Sequence, residues 1–523
     1  MSSQVGTVPG GISQWLSFWA RYTPGRPALL FGERTITWAE FEDRSARLAG
    51  GLRATGIRSG DRIGFLSRNT PEFYEVMMAA ARIGAIFVPF NIRLSAGEIR
   101  YMADDAGLSL LICETFFADR LAGTIGRVYY LDPPAGERSY ADLRGDPVRT
   151  PDGVTLDHTL ALAYTSGTTG RPKAAMITHG NAAATSIAVI NADGIGPTDR
   201  VIQPAPLAFA GSMLAISMPM LHAGASMVIE RDVTPERLLD LVDHGGVTML
   251  KLVPVFYQLM AASPAFGGCD LSGLRTATFG GAPATLDLLR LYQARGVGLS
   301  SAYGLTEGCG YNLALPAEDA VEWIGWAGLP LPFQRGRVVG DDGAVLPPGE
   351  VGELAIAGPC VMRGYWGAPE ATAAVLQDGW LHTGDLAVAS ERGYYKIVDR
   401  KKDMIISGGL NVYPAEVERV LSTHPAVLDV AVVGVPDERW GETPLACVVS
   451  TDPSLTLGEL ARFSAGELAD YKRPRRLRLL SELPRNSNGK VIKQRLRELS
   501  LRELGVSEQG ATAGNDAAMG RTS

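Results

Sequence analysis

A short loop between Tyr164 and Lys173 combines four hydroxyl side chains, two glycines and two cations. The apolar run at residues 160–163 that leads into it predicts a strand. Glycines let backbone N–H groups close around anionic oxygens, hydroxyls donate further hydrogen bonds, and Arg171 and Lys173 supply positive charge. The loop therefore predicts a site for a polyphosphate, and a nucleotide is the first ligand to test.

This loop differs from the P-loop of ordinary NTPases, whose pattern requires glycine at Pro172 and a hydroxyl at Ala174. Residues 174–178 predict a second strand, and Asn181 predicts the N-cap of a helix. The phosphates would then be held by a hairpin-like nest of backbone groups and not by a helix dipole. A plain turn between two strands is the alternative.

Length and composition indicate an ordinary globular protein of two or more domains, with 523 residues, 46% hydrophobic and 20% charged. A net charge of −7 argues against a general nucleic-acid binder. The five cysteines form no C-x-x-C pair, which suits a reducing compartment and indicates neither zinc nor a disulfide framework. Because residues 1–11 also lack a signal-peptide pattern, a cytoplasmic location is expected.

The uncharged stretch at residues 201–229 could be mistaken for a membrane span. Its prolines, together with Gln203 and His222, interrupt the apolar pattern. The stretch therefore predicts a buried helix with a flanking loop, and no integral membrane association is expected.

A repeating strand and helix pattern predicts the fold class. Residues 41–55 and 72–83 have helical periodicity, and residues 62–66 and 85–89 read as strands. This alternation predicts an α/β sandwich with largely parallel sheets, followed from about residue 336 by a β-rich subdomain. A smaller α+β domain is expected at residues 401–506 after a large domain at 1–400, and residues 507–523 read as a disordered tail.

Further segments carry residue types suited to a nucleotide. Residues 300–307 contain Tyr303, which could stack on a base, and end in Glu307, which could hold Mg²⁺. Residues 280–283 offer a flat backbone surface for a purine. Residues 380–385 read as a tight turn followed by Asp385, which could accept the ribose hydroxyls or simply serve as a turn residue. A charged run at 399–403 precedes a glycine pair, and Lys490 lies at the tip of a glycine turn.

In this order and spacing, the segments resemble the adenylate-forming superfamily of acyl-CoA synthetases, luciferases and peptide-synthetase adenylation domains. The resemblance covers roughly residues 15–504 and is closest to the acyl- and aryl-CoA ligases, because residues 407–414 are similar to their hinge segment. It implies a large adenylation domain with ATP and acyl sites and a small mobile C-terminal domain.

The resemblance also implies roles for individual residues. The β- and γ-phosphates of ATP would be bound by Thr165, Ser166, Gly167, Thr168, Thr169, Gly170 and Lys173. The adenine would be enclosed by Gly281, Ala282, Pro283, Tyr303 and Gly304. Thr306 would bind the α-phosphate and Glu307 would bind Mg²⁺. Asp385 and Arg400 would bind the ribose, and Lys402 would be the hinge between the two domains.

Lys490 is the residue expected to catalyse adenylation. Attack of a carboxylate on an α-phosphate brings two anions together, and a compact ammonium on a flexible stem can stabilise the charge that builds in the transition state. An exposed turn lysine is the alternative.

The resemblance further implies a second step, in which the small domain rotates and CoA attacks the acyl-adenylate. Gly408 and Gly409 would leave room for the pantetheine arm. The CoA nucleotide would contact an aromatic and several cations: Trp440, Lys472, Arg473, Arg475 and Arg476. A solvated basic face explains those cations equally well.

The acyl pocket is expected around Phe209. Many CoA ligases of this group carry a histidine in the corresponding segment, whereas this chain has Phe209 with small residues on either side. The expected lining is Leu207, Ala208, Phe209, Ala210, Gly211, Gly280 and Gly308. Such small residues favour a bulky apolar acid, whether fatty, aromatic or polycyclic, although core packing explains them too. Lys251 would either meet a polar substituent of that acid or point to water.

The sequence thus predicts an ATP- and Mg²⁺-dependent acid:CoA ligase that forms an acyl-adenylate from a bulky apolar carboxylic acid. Its partners would be the small molecules on which it acts, namely that acid, ATP and CoA. One alternative is a ligase that stops at the adenylate or passes the acyl group to a carrier protein, which nothing in the sequence indicates. The other is an inactive nucleotide-binding protein. A homodimer is left open.

Overall fold

The computed structural model describes residues 10–121, 125–151, 153–165, 171–437, 439–486 and 489–503. The chain divides into two compact units. The first comprises Met1–Arg337, Ala355–Thr383 and Glu391–Lys396, and the second comprises Val338–Leu354, Gly384–Ser390 and Ile397–Ser523. The domain boundary expected after residue 400 stays a prediction, and the expected tail at 507–523 lies outside the described residues.

The first unit contains two sheets with mostly parallel strands. In chain order their strands are β1 (Pro27–Phe31), β2 (Arg34–Thr37), β3 (Arg62–Leu66), β4 (Ile86–Pro89), β5 (Leu110–Cys113), β6 (Val128–Tyr130), β7 (Thr159–Thr165), β8 (Lys173–Thr178), β9 (Arg200–Gln203), β10 (Ser226–Ile229), β11 (Met249–Leu252), β12 (Thr276–Gly280), β13 (Leu299–Tyr303), β14 (Leu313–Leu315) and β15 (Leu329–Pro330). Within the described residues, one sheet has the order β6-β5-β3-β4-β7-β8 and the other β15-β14-β13-β12-β11-β9-β10-β1-β2.

Helices connect these strands and cover the sheets, as the alternating pattern predicts. Their bounds are α1 (Gln14–Tyr22), α2 (Trp38–Ala54), α3 (Glu72–Ile83), α4 (Ala96–Ala106), α5 (His179–Asp193), α6 (Met218–Ala223), α7 (Pro235–Asp243), α8 (Pro254–Ala262), α9 (Leu286–Ala294), α10 (Pro369–Val375), α11 (Pro414–Leu421), α12 (Leu457–Phe463) and α13 (Lys493–Glu503). The predicted α/β architecture is confirmed.

A large hydrophobic core joins the two sheets of the first unit. It contains Leu29 and Met227 of one sheet, Phe87 and Leu160 of the other, and residues of α2, α3, α5 and α6. Because these helices share one core with both sheets, their apolar faces are buried on two sides. Helix α3 illustrates this burial, since every residue from Phe73 to Ile83 is buried.

Helix α5 begins three residues earlier than the predicted N-cap implies. Its N-cap is Thr178, whose hydroxyl accepts from the Asn181 backbone N–H at 3.0 Å. In the other direction, the Asn181 side-chain Oδ1 accepts from the Thr178 backbone N–H at 2.9 Å. The prediction of Asn181 as the N-cap is therefore wrong, since Asn181 is the third helical residue of a reciprocal capping box.

The uncharged stretch at residues 201–229 is not one helix with a loop. It runs from β9 through a π-helix at Gly211–Ser217 into α6, and it ends in β10. Among the described residues, no helix is both long and apolar enough to span a bilayer.

The strands after residue 334 form the β-rich part of the chain. They are β16 (Arg335–Val339), β17 (Val351–Ala357), β18 (Leu376–Gln377), β19 (Trp380–Ala389) and β20 (Tyr395–Arg400). They pair in the order β16-β17-β19-β18, with β20 beside β19.

The C-terminal part has its own sheet and core. Its strands are β21 (Ile405–Ser407), β22 (Leu410–Val412), β23 (Val427–Asp437), β24 (Gly441–Ser450) and β25 (Arg476–Leu479), paired as β22-β21-β24-β23 with β25 beside β24. Val412, Val417, Val432 and Val448 share one buried cluster of strand and helix residues. The predicted compact α+β fold is confirmed.

His179 makes the stability of the fold depend on pH. Its ring is fully buried at the start of α5, and its Nδ1 accepts from the Ile12 N–H at 3.2 Å. Burial, reinforced by the charge of His158, lowers the pKa of His179 to about 3. In the unfolded chain this histidine has a pKa near 6.5 and gains a proton below that pH, whereas in the folded chain it stays neutral. The free energy of unfolding therefore decreases as the pH falls below about 6.5.

We therefore expect His179→Gln to reduce the acid sensitivity of unfolding. Between pH 6.5 and pH 5 the wild type should lose about 2 kcal/mol more free energy of unfolding than the variant. Urea unfolding of the full chain at both pH values measures this difference. His244→Gln, at an exposed histidine, is the matched control. The same change in free energy of unfolding between the two pH values in the wild type and in His179→Gln would contradict the assignment.

Candidate active site

The β7–β8 hairpin holds the two ends of the predicted phosphate loop. The strands are antiparallel, and Thr165 pairs directly with Lys173. This register confirms the predicted hairpin. Five residues of the loop, Ser166, Gly167, Thr168, Thr169 and Gly170, lie outside the described residues, and their roles stay predictions.

Glu307 meets hydroxyl groups from two other segments of the first unit. Its Oε1 accepts from Thr165 Oγ1 at 3.3 Å and from the Tyr365 hydroxyl at 2.8 Å. The Lys173 ammonium lies over the Tyr365 ring, 5.6 Å from its centroid. The structure thus brings together the predicted metal ligand and two predicted phosphate residues.

Tyr365 also belongs to this cluster, although no role was predicted for it from the sequence. A β-bridge between Ala175 and Tyr365, and a 2.8 Å bond from the Met176 N–H to the Gly364 carbonyl, attach its segment to β8. Burial, and then the negative charge of Glu307, raise the pKa of the Tyr365 phenol well above its ordinary value. The phenol therefore stays protonated and donates to the carboxylate.

Asn312 fixes the turn that carries Glu307. Glu307 lies in a single 3₁₀ turn, Thr306–Gly308, after β13. The fully buried Asn312 donates from Nδ2 to the Gly308 carbonyl at 2.8 Å and contacts Gln334 Oε1 at 3.0 Å. Gly308 leaves the room for this contact, because a methyl group there would lie 2.4 Å from Asn312 Oδ1. Gly308 is thus packed against a buried amide.

The predicted adenine residues lie at the ends of two neighbouring parallel strands. Gly280 of β12 pairs with Ala302 of β13, so the segments that follow them leave the sheet side by side. Gly281 has a φ of +78°, which suits glycine, and residues 281–283 are exposed. Ligands of α/β sheets bind at this carboxyl edge. The arrangement brings Gly281, Ala282, Pro283, Tyr303 and Gly304 to one edge of the sheet.

The expected acyl residues separate into two groups. Leu207 is buried in the core and its N–H donates to Asn69 Oδ1 at 3.1 Å. Residues 208–210 are partly buried and Gly211 is exposed at the start of the π-helix. Gly310 lies against this segment, because a methyl group there would be 3.2 Å from the Ala210 carbonyl oxygen. Leu207 thus packs in the core, and the lining role of all the expected acyl residues stays a prediction.

Lys251 does not point to water. It is 8% exposed, and its ammonium forms an ion pair with Asp193 at the end of α5. The same ammonium lies 5.3 Å from the centre of the Tyr311 ring.

In the second unit, Asp385 and Arg400 face each other with 3.7 Å between Oδ1 and Nε. Asp385 lies inside strand β19, so the predicted tight turn before it is wrong, although Gly384 has a φ of +72°. The Gly384 N–H donates to Glu353 at 3.0 Å, and Lys401 lies 3.4 Å from the same carboxylate. The predicted ribose pair is therefore set in a network of charges.

The expected hinge residue, Lys402, lies in the one-turn 3₁₀ helix Lys401–Asp403 between β20 and β21. Just before it, the buried Asp399 accepts from the N–H groups of Arg400 at 2.7 Å and Ala415 at 2.8 Å. Burial raises the pKa of Asp399. Asp399 thus ties Arg400 to the start of α11, a contact that sequence reasoning missed.

The glycine pair expected at the CoA site forms a two-residue hairpin turn between β21 and β22. Both glycines have positive φ, +60° at Gly408 and +79° at Gly409, which such a turn requires. A methyl group at Gly408 would lie 2.7 Å from the Trp440 ring, and one at Gly409 would meet nothing within 4 Å. Space is therefore left open at Gly409, whereas at Gly408 the indole occupies it.

Several of the expected CoA cations are engaged within the protein. Lys472 pairs with Glu416 at 2.8 Å, and Arg473 donates to the Leu468 carbonyl at 2.9 Å. Arg475 lies over the Trp440 ring at 5.2 Å and reaches Asp470 at 3.1 Å. These three side chains therefore have partners within the protein, and their role at a CoA site stays a prediction.

Lys490 closes a short turn with Asn486. The Asn486 N–H donates to the Lys490 carbonyl at 2.8 Å, and Asn486 Oδ1 accepts from the Lys490 N–H at 2.9 Å. Arg485 braces the turn by donating to the Gly489 carbonyl at 2.7 Å and to Asp429 at 2.6 Å. The Lys490 residue is exposed, so its ammonium stands on a braced turn at the surface of its unit.

Comparison with known proteins agrees with this geometry. The family model for AMP-binding enzymes matches residues 16–366, and the model for their C-terminal domain matches residues 416–490. A feruloyl-CoA synthase from Amycolatopsis is 42% identical over 489 residues, covering 93% of this chain and 98% of that protein. An indoleacetate–CoA ligase from Aromatoleum aromaticum is 37% identical, covering 94% and 98%.

A solved structure of o-succinylbenzoate CoA synthetase from Bacillus subtilis, in complex with its acyl-adenylate intermediate, superposes with a TM-score of 0.83 at 31% identity. It covers 92% of this chain and 97% of the other. Another structure of that enzyme holds ATP and a magnesium ion.

The fold and the arrangement of Glu307 beside the hairpin define an adenylate-forming enzyme. The chain belongs to the AMP-binding enzyme family. It is an AMP-forming acid–thiol ligase of the acyl-CoA synthetase group, as the sequence predicts.

The Tyr365 hydroxyl is expected to position Glu307 for the metal. Tyr365→Phe should raise the Mg²⁺ concentration needed for half-maximal pyrophosphate release severalfold, because one hydrogen bond to a charged group is worth about 1.5–3 kcal/mol. Titration of MgCl₂ at saturating ATP and acid measures it. Tyr164→Phe is the control, since that hydroxyl bonds to Asp105. An unchanged Mg²⁺ dependence would show that Tyr365 only packs.

Proposed function

We propose that this chain joins an aryl-substituted carboxylic acid to CoA by way of an acyl-adenylate. The observation that carries the proposal is the cluster at the β7–β8 hairpin, in which Thr165 and Tyr365 donate to Glu307 beside Lys173. A carboxylate, hydroxyls and an ammonium at one end of a hairpin suit a metal-bound triphosphate.

The donor set at Glu307 fits Mg²⁺. This ion takes oxygen ligands and is usually held by one or two carboxylates together with substrate phosphates. Glu307 would hold the ion, which neutralises negative charge on the phosphates when bound. Lys173 and the backbone of the hairpin loop would retain the β- and γ-phosphates, which leave as pyrophosphate.

The remaining nucleotide contacts follow from the local geometry of each unit. The exposed backbone of residues 281–283 and the ring of Tyr303 would bind the adenine at the carboxyl edge of the sheet. Asp385, held near Arg400, would accept the ribose hydroxyls. Thr306, one residue before Glu307, would donate to the α-phosphate.

Lys490 would act in the adenylation step itself. Its ammonium would lie between the attacking carboxylate and the α-phosphate, where negative charge increases as the new bond forms. The braced turn at Arg485 and Asn486 would limit the positions of the lysine backbone. An electrostatic contact that strengthens in the transition state raises the rate of that step.

An aryl-substituted acid is supported by the relatives and by the small residue types expected at the acyl site. The feruloyl-CoA synthase and the indoleacetate–CoA ligase are named for aromatic acids and align over almost the whole chain. The small residues expected at the acyl site, among them Ala208, Ala210 and Gly280, would leave room for a ring.

For the second step, CoA would approach the open space at Gly409, with Trp440, Arg473 and Arg475 as the neighbouring surface. Lys402 would be the hinge about which the C-terminal domain turns between the steps. The five cysteines are buried free thiols, which supports a reducing compartment and hence the cytoplasm.

Lys490→Ala is expected to separate the two half-reactions. Acid-dependent pyrophosphate release should fall at least about a hundredfold, because loss of one such donor typically costs 10²–10³ in rate. Thioester formation from a supplied acyl-adenylate should stay close to wild type. Lys396→Ala, at an exposed strand lysine, is the control, and equal loss of both half-reactions would remove Lys490 from the adenylation step.

A panel of acids tests the acyl class and the acceptor. Pyrophosphate release and thioester formation should be fastest with cinnamic, phenylacetic and related aromatic acids, and should require CoA for turnover. Discontinuous assays with and without CoA, and with a phosphopantetheinyl carrier protein in its place, measure this. Turnover with the carrier alone would favour an acid:carrier-protein ligase, and preference for long-chain fatty acids would contradict an aryl substrate.

A further inference from the structure

A partly buried ion pair follows the turn that carries Lys490. Helix α13 begins at Lys493, three residues after Lys490, and the Lys493 ammonium lies 2.8 Å from Glu418 Oε1 on α11. The same carboxylate oxygen accepts from the Val432 N–H of β23 at 2.7 Å. Glu418 therefore connects the start of α13 to both α11 and β23.

The connection between Lys490 and Lys493 is short and hydrogen-bonded. Of the two residues between them, Val491 forms a β-bridge with Arg485. The N–H of the other, Ile492, donates at 2.8 Å to the backbone carbonyl one residue before Arg485. Such a connection has no slack to absorb a shift of the helix start. The positions of the Lys493 side chain and of the Lys490 backbone are therefore linked.

A second ion pair, between Arg485 and Asp429, lies on the other side of the turn. Its two side chains are 44% and 35% exposed, whereas those of Lys493 and Glu418 are 19% and 22% exposed. Exposed ion pairs are screened by salt and contribute little, and the attraction between charges grows as water is excluded. The pair between Lys493 and Glu418 is therefore the stronger of the two anchors.

The charge of Lys493 acts on a second carboxylate as well. Burial raises the pKa values of both Glu418 and Asp399, and the charge of Lys493 opposes this effect at each. The negative charge of Asp399 further raises the pKa of Glu418. One ammonium thus favours the ionised form of two neighbouring carboxylates. Without it, two like charges would stand together in a partly buried place, which displaces side chains or demands a proton.

From these contacts we propose that Lys493, held by Glu418 and Asp399, is a positioning residue for adenylation that sets where Lys490 stands. The inference rests on the role proposed above for Lys490 and names the residue that acts through it. The Lys490 ammonium must lie near both the attacking carboxylate and the α-phosphate, and a displacement of about 1 Å can cost about a hundredfold in rate. Lys493 itself is engaged by carboxylates and acts through the backbone that it shares with Lys490.

Three variants test this role with cinnamate as the acid. Lys493→Met removes the charge and keeps an apolar stem, and it should lower acid-dependent pyrophosphate release at least about tenfold, through kcat and not through KM for Mg·ATP. Lys493→Arg keeps the charge and should retain most of the rate. Glu418→Gln keeps an oxygen for the Val432 N–H and leaves Asp399 beside the ammonium, so its loss should be smaller than that of Lys493→Met.

The second half-reaction distinguishes positioning from damage to the C-terminal domain. Thioester formation from supplied cinnamoyl-adenylate and CoA is expected to use the same domain without Lys490, so in every variant it should stay within about twofold of the wild type. Glu503→Gln is the control, because it removes a carboxylate that pairs with Arg478 at the other end of α13. Equal loss of both half-reactions in Lys493→Met, or an unchanged rate of adenylation, would overturn the inference.

Lys490→Ala, measured beside these variants, separates the inference from the function on which it rests. If Lys490→Ala loses only adenylation and Lys493→Met loses nothing, the positioning role alone is overturned. Equal loss of both half-reactions in Lys490→Ala would remove the role of Lys490 and the inference with it. A wild type that uses dodecanoate and not cinnamate would overturn the aryl-acid function, and the same comparison with dodecanoate and its adenylate then decides the role of Lys493. Thermal unfolding of each variant verifies that the rates come from folded protein.

Discussion

The proposed metal site depends on one carboxylate, Glu307, that is held by hydroxyl groups from distant parts of the chain. Thr165 reaches Glu307 across 142 positions of sequence, and Tyr365 reaches it across 58. The segments that carry Thr165, Glu307 and Tyr365 each contribute one side chain from a strand end or a turn. No one of these segments could therefore form the hydrogen-bonded cluster alone. The Met362 N–H donates to the Glu307 carbonyl at 2.8 Å and so joins the Tyr365 segment to the Glu307 turn, and the β-bridge between Ala175 and Tyr365 joins that segment to β8. The bridge makes the edge of β8 a structural support for the proposed metal site.

Local sequence signals were sufficient for much of the fold. The bounds predicted for β3 and α3 agree with the structure, because β-branched or aromatic runs and helical periodicity depend on neighbours in sequence. The error at Asn181 has the same local origin, since Thr178 and Asn181 are both good capping residues and each uses the other in a reciprocal box. Tyr365 and Asn312 were missed because their roles are set by partners that only the folded chain brings near.

The second unit shows how packing changes the interpretation of a motif. Two adjacent glycines suggested space for a ligand, yet at Gly408 the missing side chain accommodates the Trp440 ring. The cations nearby are likewise engaged, as in the pair between Lys472 and Glu416. Positive charge that is already paired contributes less to anion binding than a count of lysines and arginines suggests. A CoA nucleotide would therefore rely more on stacking and on exchange of partners than on free charge.

The ion pair between Lys251 and Asp193 is costly if its only role is structural. Moving two charges out of water carries a large desolvation penalty, and well-packed apolar residues of similar size often stabilise a fold at least as well. Neighbouring core positions on the same face, such as Met249, are apolar and fully buried, so the local packing accepts hydrophobic side chains. The pair is stable only as a unit, since both side chains are buried and the Lys251 ammonium also lies over the Tyr311 ring. Removing either partner alone would leave an unpaired buried charge, which costs about 3–5 kcal/mol, so each residue constrains what can stand at the other position.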